Sequence, residues 1–175
     1  MASYCDFVRG LPVDNVHRQY HDTQYGFPLT DDNELFGRLV LEINQAGLSW
    51  ELILKKAKNF RQAYAGFNID KVASFTEKDR SRLLQDAGIV RNKLKVNAAI
   101  HNAQQIQQLQ SEFGSFKAWL DYHHPMPKTD WVKLFKKTFK FTGGEITGEF
   151  LMSTGYLPGA HDADCPVGRR LLYRR

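Results

Sequence analysis

Cys5 and Cys165 are the only two cysteines of this 175-residue chain, and they stand near its opposite ends. His161-Asp-Ala-Asp-Cys165 sets an imidazole and a thiolate four residues apart, while Cys5 and His21 sit near the other terminus. Two Cys and two His are the ligand set that tetrahedral structural zinc prefers. Four protein ligands leave no open position for a reacting water, so such an ion staples the terminal segments and does no cutting. The halves match no local zinc finger, and the alternative is two separate free thiols beside two surface histidines. A disulfide is not expected if the compartment is the cytoplasm, where thiols stay reduced.

Glu42 is the next candidate. On a helical wheel it lies beside Leu35, Leu39 and Ala46, at the edge of an apolar stripe. Carboxylates rarely sit there without a partner or a task. One reading is a core-edge Glu satisfied by an Arg or a backbone amide. The other is a carboxylate lining a cleft and accepting a hydrogen bond from a ligand. Phe7, Tyr20, Tyr25 and Trp50 are aromatic enough to form a stacking pocket around it, or are simply core.

A third segment, Leu84-Gln-Asp-Ala-Gly-Ile-Val-Arg-Asn-Lys-Leu-Lys95, reads as a helix, a tight glycine turn and a second helix. Backbone amides at the Gly88 turn and at the second helix start can hold a phosphate, and Arg91, Lys93 and Lys95 add positive charge there. An ordinary helical hairpin with a solvated basic face fits the same pattern. Lys133, Lys136, Lys137 and Lys140 read as a solvated helix face.

The elements carrying these groups are helical. Thr30, Asp31 and Asp32 offer N-caps before an apolar-periodic run over 35–47. Ser49 caps a second helix bearing Leu52, Ile53, Ala57, Phe60 and Tyr64, which stops at Gly66. A short turn of helix follows Asp70. Thr76 to Asp79 resembles a capping box opening a helix that stops at Gly88. A long helix runs over 92–110, Ser115 caps a short one, and the prolines make 122–127 a loop. Helices over 131–138 and 145–154 follow, before Pro158-Gly159 turns the chain into a basic tail. No strand pair stands out, so the class is all-α.

Composition fits this reading. The chain is 42% hydrophobic and 25% charged, with 12 Phe, 7 Tyr and 3 Trp, ample for a core in one domain. A net charge of +5 favours a polyanionic partner. No apolar run approaches the roughly 18 residues of a membrane span. Met-Ala-Ser-Tyr-Cys-Asp-Phe lacks the basic-then-apolar pattern of a signal peptide, so the expected compartment is the cytoplasm.

Several segments together resemble the type I 3-methyladenine DNA glycosylases: Tyr20-His-Asp-Thr-Gln-Tyr-Gly26, Leu41-Glu-Ile-Asn-Gln-Ala-Gly-Leu-Ser-Trp50, Leu84-Gln-Asp-Ala-Gly-Ile-Val-Arg91, Phe139-Lys-Phe-Thr-Gly143, and Cys5 with His161 to Cys165. The likeness spans nearly the whole chain in order. It implies an all-α, helix-hairpin-helix glycosylase fold, a single unit over 1–175. Its helical core would cover 30–140 with the hairpin near 84–95, and 1–29 and 141–175 would pack together around a structural Zn2+. It implies a monomer that binds double-stranded DNA containing alkylated bases and hydrolyses the N-glycosidic bond of 3-methyladenine, releasing the free base.

Carried over position by position, Glu42 matches the pocket carboxylate, and Tyr20, Trp50, Phe7 and His17 match positions around the base. Cys5, His21, His161 and Cys165 match the metal ligands. Gln45, Gly47 and Leu48 fall in the segment that approaches the DNA gap, with Leu48 as a wedge. Gly88, Arg91, Lys93 and Lys95 fall on the hairpin that meets phosphates. Three departures stand out: His17 where the family usually has a second tyrosine, Ile43-Asn44 in place of a smaller Gly-containing pair, and Glu145 and Glu149 where uncharged residues are usual. A non-catalytic, zinc-stabilised binder of damaged DNA is the competing reading. It has no need of Glu42 beside Tyr20 and Trp50.

Overall fold

The computed structural model describes residues 1–173. Regular structure among them is entirely helical: α1 (Tyr4–Arg9), α2 (Val16–Thr23), α3 (Asp32–Gln45), α4 (Trp50–Lys55), α5 (Ala57–Ala63), a 3-10 turn (Ala65–Phe67), α6 (Ile69–Ala73), α7 (Glu77–Gln85), α8 (Lys93–Phe113), α9 (Phe116–His123), α10 (Lys128–Thr138), α11 (Gly144–Ser153) and α12 (Pro166–Leu172). No helix among the described residues is long and apolar enough to cross a membrane.

Helix α3 is the axis of the structure. Leu35, Phe36, Leu39, Val40 and Ile43 are almost wholly buried, and the helix packs against α4, α5, α6, α8, α9 and α11. Asp31 caps it, accepting from the amides of Asn33 and Glu34. Asp32 reaches outward: its carboxylate accepts from the amides of Phe116 at 2.8 Å and Lys117 at 3.0 Å, capping α9 and locking it to the start of α3. Gly37 is required by packing, because a Cβ there would lie 2.4 Å from Cδ2 of Phe67.

The caps at Ser49, the Thr76–Asp79 box, Asn92 and Ser115 all form. Several boundaries differ from the sequence expectation. The helix expected over 50–66 divides at Lys56 into α4 and α5, and Gly66 adopts φ +69° within the 3-10 turn that follows. Helix α7 ends at Gln85, not at Gly88, since Asp86 leaves helical geometry at ψ 106°. Helix α8 runs on to Phe113, stopped by Gly114 at φ +92°. Helix α9 extends to His123 inside the expected loop.

Three terminal helices lie outside the elements expected from the sequence. Helix α1 carries a capping box from Ser3 and Asp6, Asn15 caps α2, and Pro166 sits in the first turn of α12. These helices gather Cys5, Cys165 and Val167 into a second small cluster, with Phe27 against it.

Candidate functional site

A cavity of about 720 Å3 opens at the C-terminal end of α3, within the size range of small-molecule sites. Its walls include Tyr4 from α1, Tyr20 from α2, Tyr25, Glu42 from α3, Trp50 from α4, and the face of α11 bearing Glu145, Ile146 and Glu149. Tyr20 is its hub. Its ring meets Trp50 edge-on at 5.3 Å and Tyr25 at 5.6 Å. The Arg38 guanidinium lies 5.3 Å from its centroid, a cation–π contact.

Of the four aromatic positions expected to form a pocket, the structure brings Tyr20, Tyr25 and Trp50 together. Phe7 and His17 are corrected: neither lines the cavity. Phe7 is 50% exposed, stacked on Tyr4 at 6.1 Å and edge-on to His17 at 5.1 Å. Tyr4 stands at the wall instead, its hydroxyl hydrogen-bonded to Nδ1 of His17 at 2.9 Å. The histidine that replaces a tyrosine therefore holds a tyrosine brought in by a different helix. The sequence signal for Tyr4 is the Ser3–Asp6 capping pattern, which makes residues 4–9 a helix.

Glu42 is 4% exposed and lines the cavity. Burial, reinforced by the charge of Glu149, pushes its carboxyl from the ordinary 4.5 up to about 8, against the opposing pull of Arg38. A neutral carboxyl is thus favoured near neutral pH until a cation arrives beside it. Glu149 is shifted upward too, by burial and then by Glu145, with Lys128 opposing. The Arg38 guanidinium donates to the carbonyl of Ser153 at 3.1 Å and acts on Glu42 through its charge alone.

The cavity mouth is the turn Gln45–Leu48. Ala46 at φ −54°, ψ 120° and Gly47 at φ +78° give the type II pattern, closed by the Leu48 amide donating to the Gln45 carbonyl at 2.8 Å. Glycine is needed at the left-handed position. The turn leaves Leu48 37% exposed, an apolar tip beside the opening.

Lys95 is the second correction. The sequence places it on the hairpin facing phosphate, but it is 4% exposed. Its ammonium donates to the carbonyl oxygens of Asn44 at 2.8 Å and Ala46 at 2.6 Å. The physical reason is that the last carbonyls of α3 need donors, and the first turn of α8 lies alongside them. Arg91 and Lys93 are exposed. The Gly88 amide is not free either, since it donates to Oδ1 of Asp86 at 2.8 Å. Asn59 and Lys56 hold the hairpin turn to α5 and its entry through the carbonyls of Gly88 and Ala87.

Cys5, His21, His161 and Cys165 bring their ligand atoms within 4.8 Å of one another. Nε2 of His21 lies 3.2 Å from Sγ of Cys5, 3.2 Å from Nδ1 of His161 and 3.8 Å from Sγ of Cys165. Nδ1 of His161 lies 3.7 Å from Sγ of Cys5 and 3.5 Å from Sγ of Cys165. A tetrahedral zinc with ordinary Zn–N and Zn–S bonds spaces its ligand atoms roughly 3.3–3.8 Å apart, so the donor set fits that ion. The outer nitrogens are fixed as such a site requires. Nδ1 of His21 donates to Oδ1 of Asp22 at 2.7 Å, and Nε2 of His161 donates to the Tyr25 carbonyl at 2.6 Å. Gly26 lets the two segments meet, since a Cβ there would lie 2.9 Å from that of Ala160. Tyr25 joins the two centres: its carbonyl holds His161 and its side chain lines the cavity.

The family described as methyladenine glycosylase matches residues 11–134. The chain is 36% identical over 172 residues to DNA-3-methyladenine glycosylase 1 of Escherichia coli K12, a match covering 87% of this chain and 91% of that protein. The solved structure of 3-methyladenine DNA glycosylase I from Staphylococcus aureus is similar with a TM-score of 0.80 at 34% identity, covering 89% of this chain and 93% of that one. A tyrosine-to-phenylalanine variant of 3-methyladenine DNA glycosylase I, solved in complex with 3-methyladenine, is similar with a TM-score of 0.83 at 32% identity, covering 95% of this chain and 97% of that one.

Proposed function

The chain belongs to the methyladenine glycosylase family, and on that premise we propose that it removes 3-methyladenine from alkylated DNA by hydrolysis, as a monofunctional base-excision enzyme. The observation that carries this reading is a buried carboxylate, Glu42, in an aromatic-walled cavity whose mouth is an exposed type II turn. A base within a duplex is out of reach, so the nucleotide must swing out into such a cavity. Leu48, at the turn, is suited to fill the gap it leaves. Arg91 and Lys93 are suited to hold flanking phosphates, in the manner of a helix-hairpin-helix surface.

Methylation at N3 gives the base in DNA a positive charge. Tyr20, Tyr25 and Trp50 attract that cation through their ring faces, and Glu42 accepts a hydrogen bond from the exocyclic amine. When the bond from the sugar C1′ to the base nitrogen breaks, its electron pair passes to the base, which leaves neutral. Water then bonds to C1′ and sheds a proton to solvent, leaving an abasic site. Because the base loses its charge on the way to the transition state, a carboxylate against it selects the lesion more than it drives the cleavage. Little acceleration is asked of the protein, since the charged base is already a good leaving group.

Zinc held by Cys5, His21, His161 and Cys165 would clamp the two terminal segments and, through Tyr25, stiffen one wall of the cavity. The donor distances support that role. The same reading has the protein working in the cytoplasm, as a monomer, on chromosomal DNA. Chromatography of bases released from methylated DNA tests the activity: free 3-methyladenine above a protein-free control is expected, and its absence would overturn the proposal.

A further inference from the structure

Glu145 and Glu149, one helical turn apart on α11, face the same cavity as Glu42. We propose that Glu149 is a second base-recognising carboxylate, which with Glu42 makes the cavity select positively charged nucleobases over neutral ones of the same shape. This rests on the base-excision reading and adds to it the source of charge selectivity.

The geometry carries the inference. Glu149 is half-buried on the α11 wall, while Glu145 is exposed nearer solvent. Glu42 comes from α3, all but 4% buried, and no hydrogen bond is among the influences on its carboxyl. Few charges of the opposite sign face this pair. From α3, Arg38 is turned to Tyr20 and the Ser153 carbonyl. From α10, Lys128 lies along Gly148, its Nζ 3.1 Å from where a Cβ of that glycine would be. The remaining titratable groups facing the cavity are the phenols of Tyr4, Tyr20 and Tyr25. Buried carboxylates without a counter-charge are unfavourable. A cationic ligand supplies that counter-charge; a neutral purine supplies only stacking.

The charge of Glu149 opposes ionisation of Glu42, and that of Glu145 opposes ionisation of Glu149. Near neutral pH the pair retains a proton, which leaves when a cation enters. Preference for the cation therefore grows with pH. With glutamine at position 149, one negative charge remains, Glu42 ionises more readily, and the pH dependence flattens.

The test is titration of the full-length protein, followed by tryptophan fluorescence, with two ligands. One is 3,9-dimethyladeninium, which keeps the lesion's fixed charge with methyl in place of the sugar. The other is neutral 9-methyladenine. Wild type is expected to prefer the cation by about tenfold or more at about pH 8.5 and by less at about pH 6, and Glu149→Gln to lose about tenfold of that preference at the higher pH. The variant should keep its affinity for the neutral ligand and melt no lower than wild type. Full preference retained in Glu149→Gln, or equal loss of both ligands, would overturn the role of Glu149 while leaving the base site standing. Failure of wild type to bind either ligand would overturn the base-excision reading, and this inference with it.

Discussion

The ammonium of Lys95, in the first turn of α8, lies 2.6 Å from the carbonyl oxygen of Ala46, the residue just past the end of α3 and second in the turn at the cavity mouth. One buried side chain thus ties the hairpin to the loop that carries Leu48. Burial pulls this ammonium below its usual range, yet its hydrogen bonds to the Ala46 and Asn44 carbonyls keep it satisfied. Lys95→Met removes both donors and leaves two carbonyls short of a partner, which costs roughly 2–4 kcal/mol of stability. Urea unfolding measures this. A loss below about 0.5 kcal/mol would show that the contact is incidental.

Salt dependence separates Lys95 from its neighbours. Each phosphate contact contributes about 0.9 to the slope of log affinity against log salt. Arg91→Ala and Lys93→Ala should each lower the slope for duplex DNA by about that much. Lys95→Met should leave it unchanged, because that ammonium is turned inward. An unchanged slope in both exposed-residue variants would mean that the hairpin does not meet the backbone.

The pH dependence of stability follows from Glu42. Its carboxyl binds a proton in the folded state up to about pH 8, but in the unfolded state only up to about 4.5. Between those values the folded state holds more protons, so stability falls as pH rises, and it levels off above about 8. Glu149 shifts in the same direction. Glu42→Gln should match wild type near pH 4.5 and exceed it near pH 8 by roughly 3–5 kcal/mol. Parallel unfolding curves for the two proteins across this range would contradict the shift.

Metal content tests the clamp. Elemental analysis of protein purified without chelators should find about one zinc per chain, and Cys165→Ser should lose it. The melting temperature of that variant should drop by about 10 °C or more, equivalent to a few kcal/mol in a chain of this size. Wild type without bound metal, melting like the variant, would show four donors gathered for packing alone.

Much of this arrangement was legible in the sequence because it rests on local rules. Asp31, Ser49 and Ser115 cap the helices they precede, and the apolar period of 35–47 made α3 the buried axis with Glu42 at its edge. What was not legible depends on contacts between distant segments. Phe7 and Tyr4 share one short helix, and only the packing of α1 on α2 decides which of them reaches the cavity. Lys95 lies in a basic run that reads as surface, and the α3 carbonyls that bury it lie about fifty residues earlier. Glu145 and Glu149 stood out as unusual charges, but their common face on α11 toward Glu42 is a fact of tertiary structure.

The most direct measurement is single-turnover release of 3-methyladenine from methylated duplex DNA by wild type, Glu42→Gln and Glu42→Ala. Wild type should release the free base well above the protein-free rate. Both variants should lose roughly tenfold or more in kcat/KM, the glutamine variant mainly through weaker lesion binding. No release by wild type, or equal release by all three proteins, would contradict the central claim that Glu42 in its aromatic cavity recognises and frees the alkylated base.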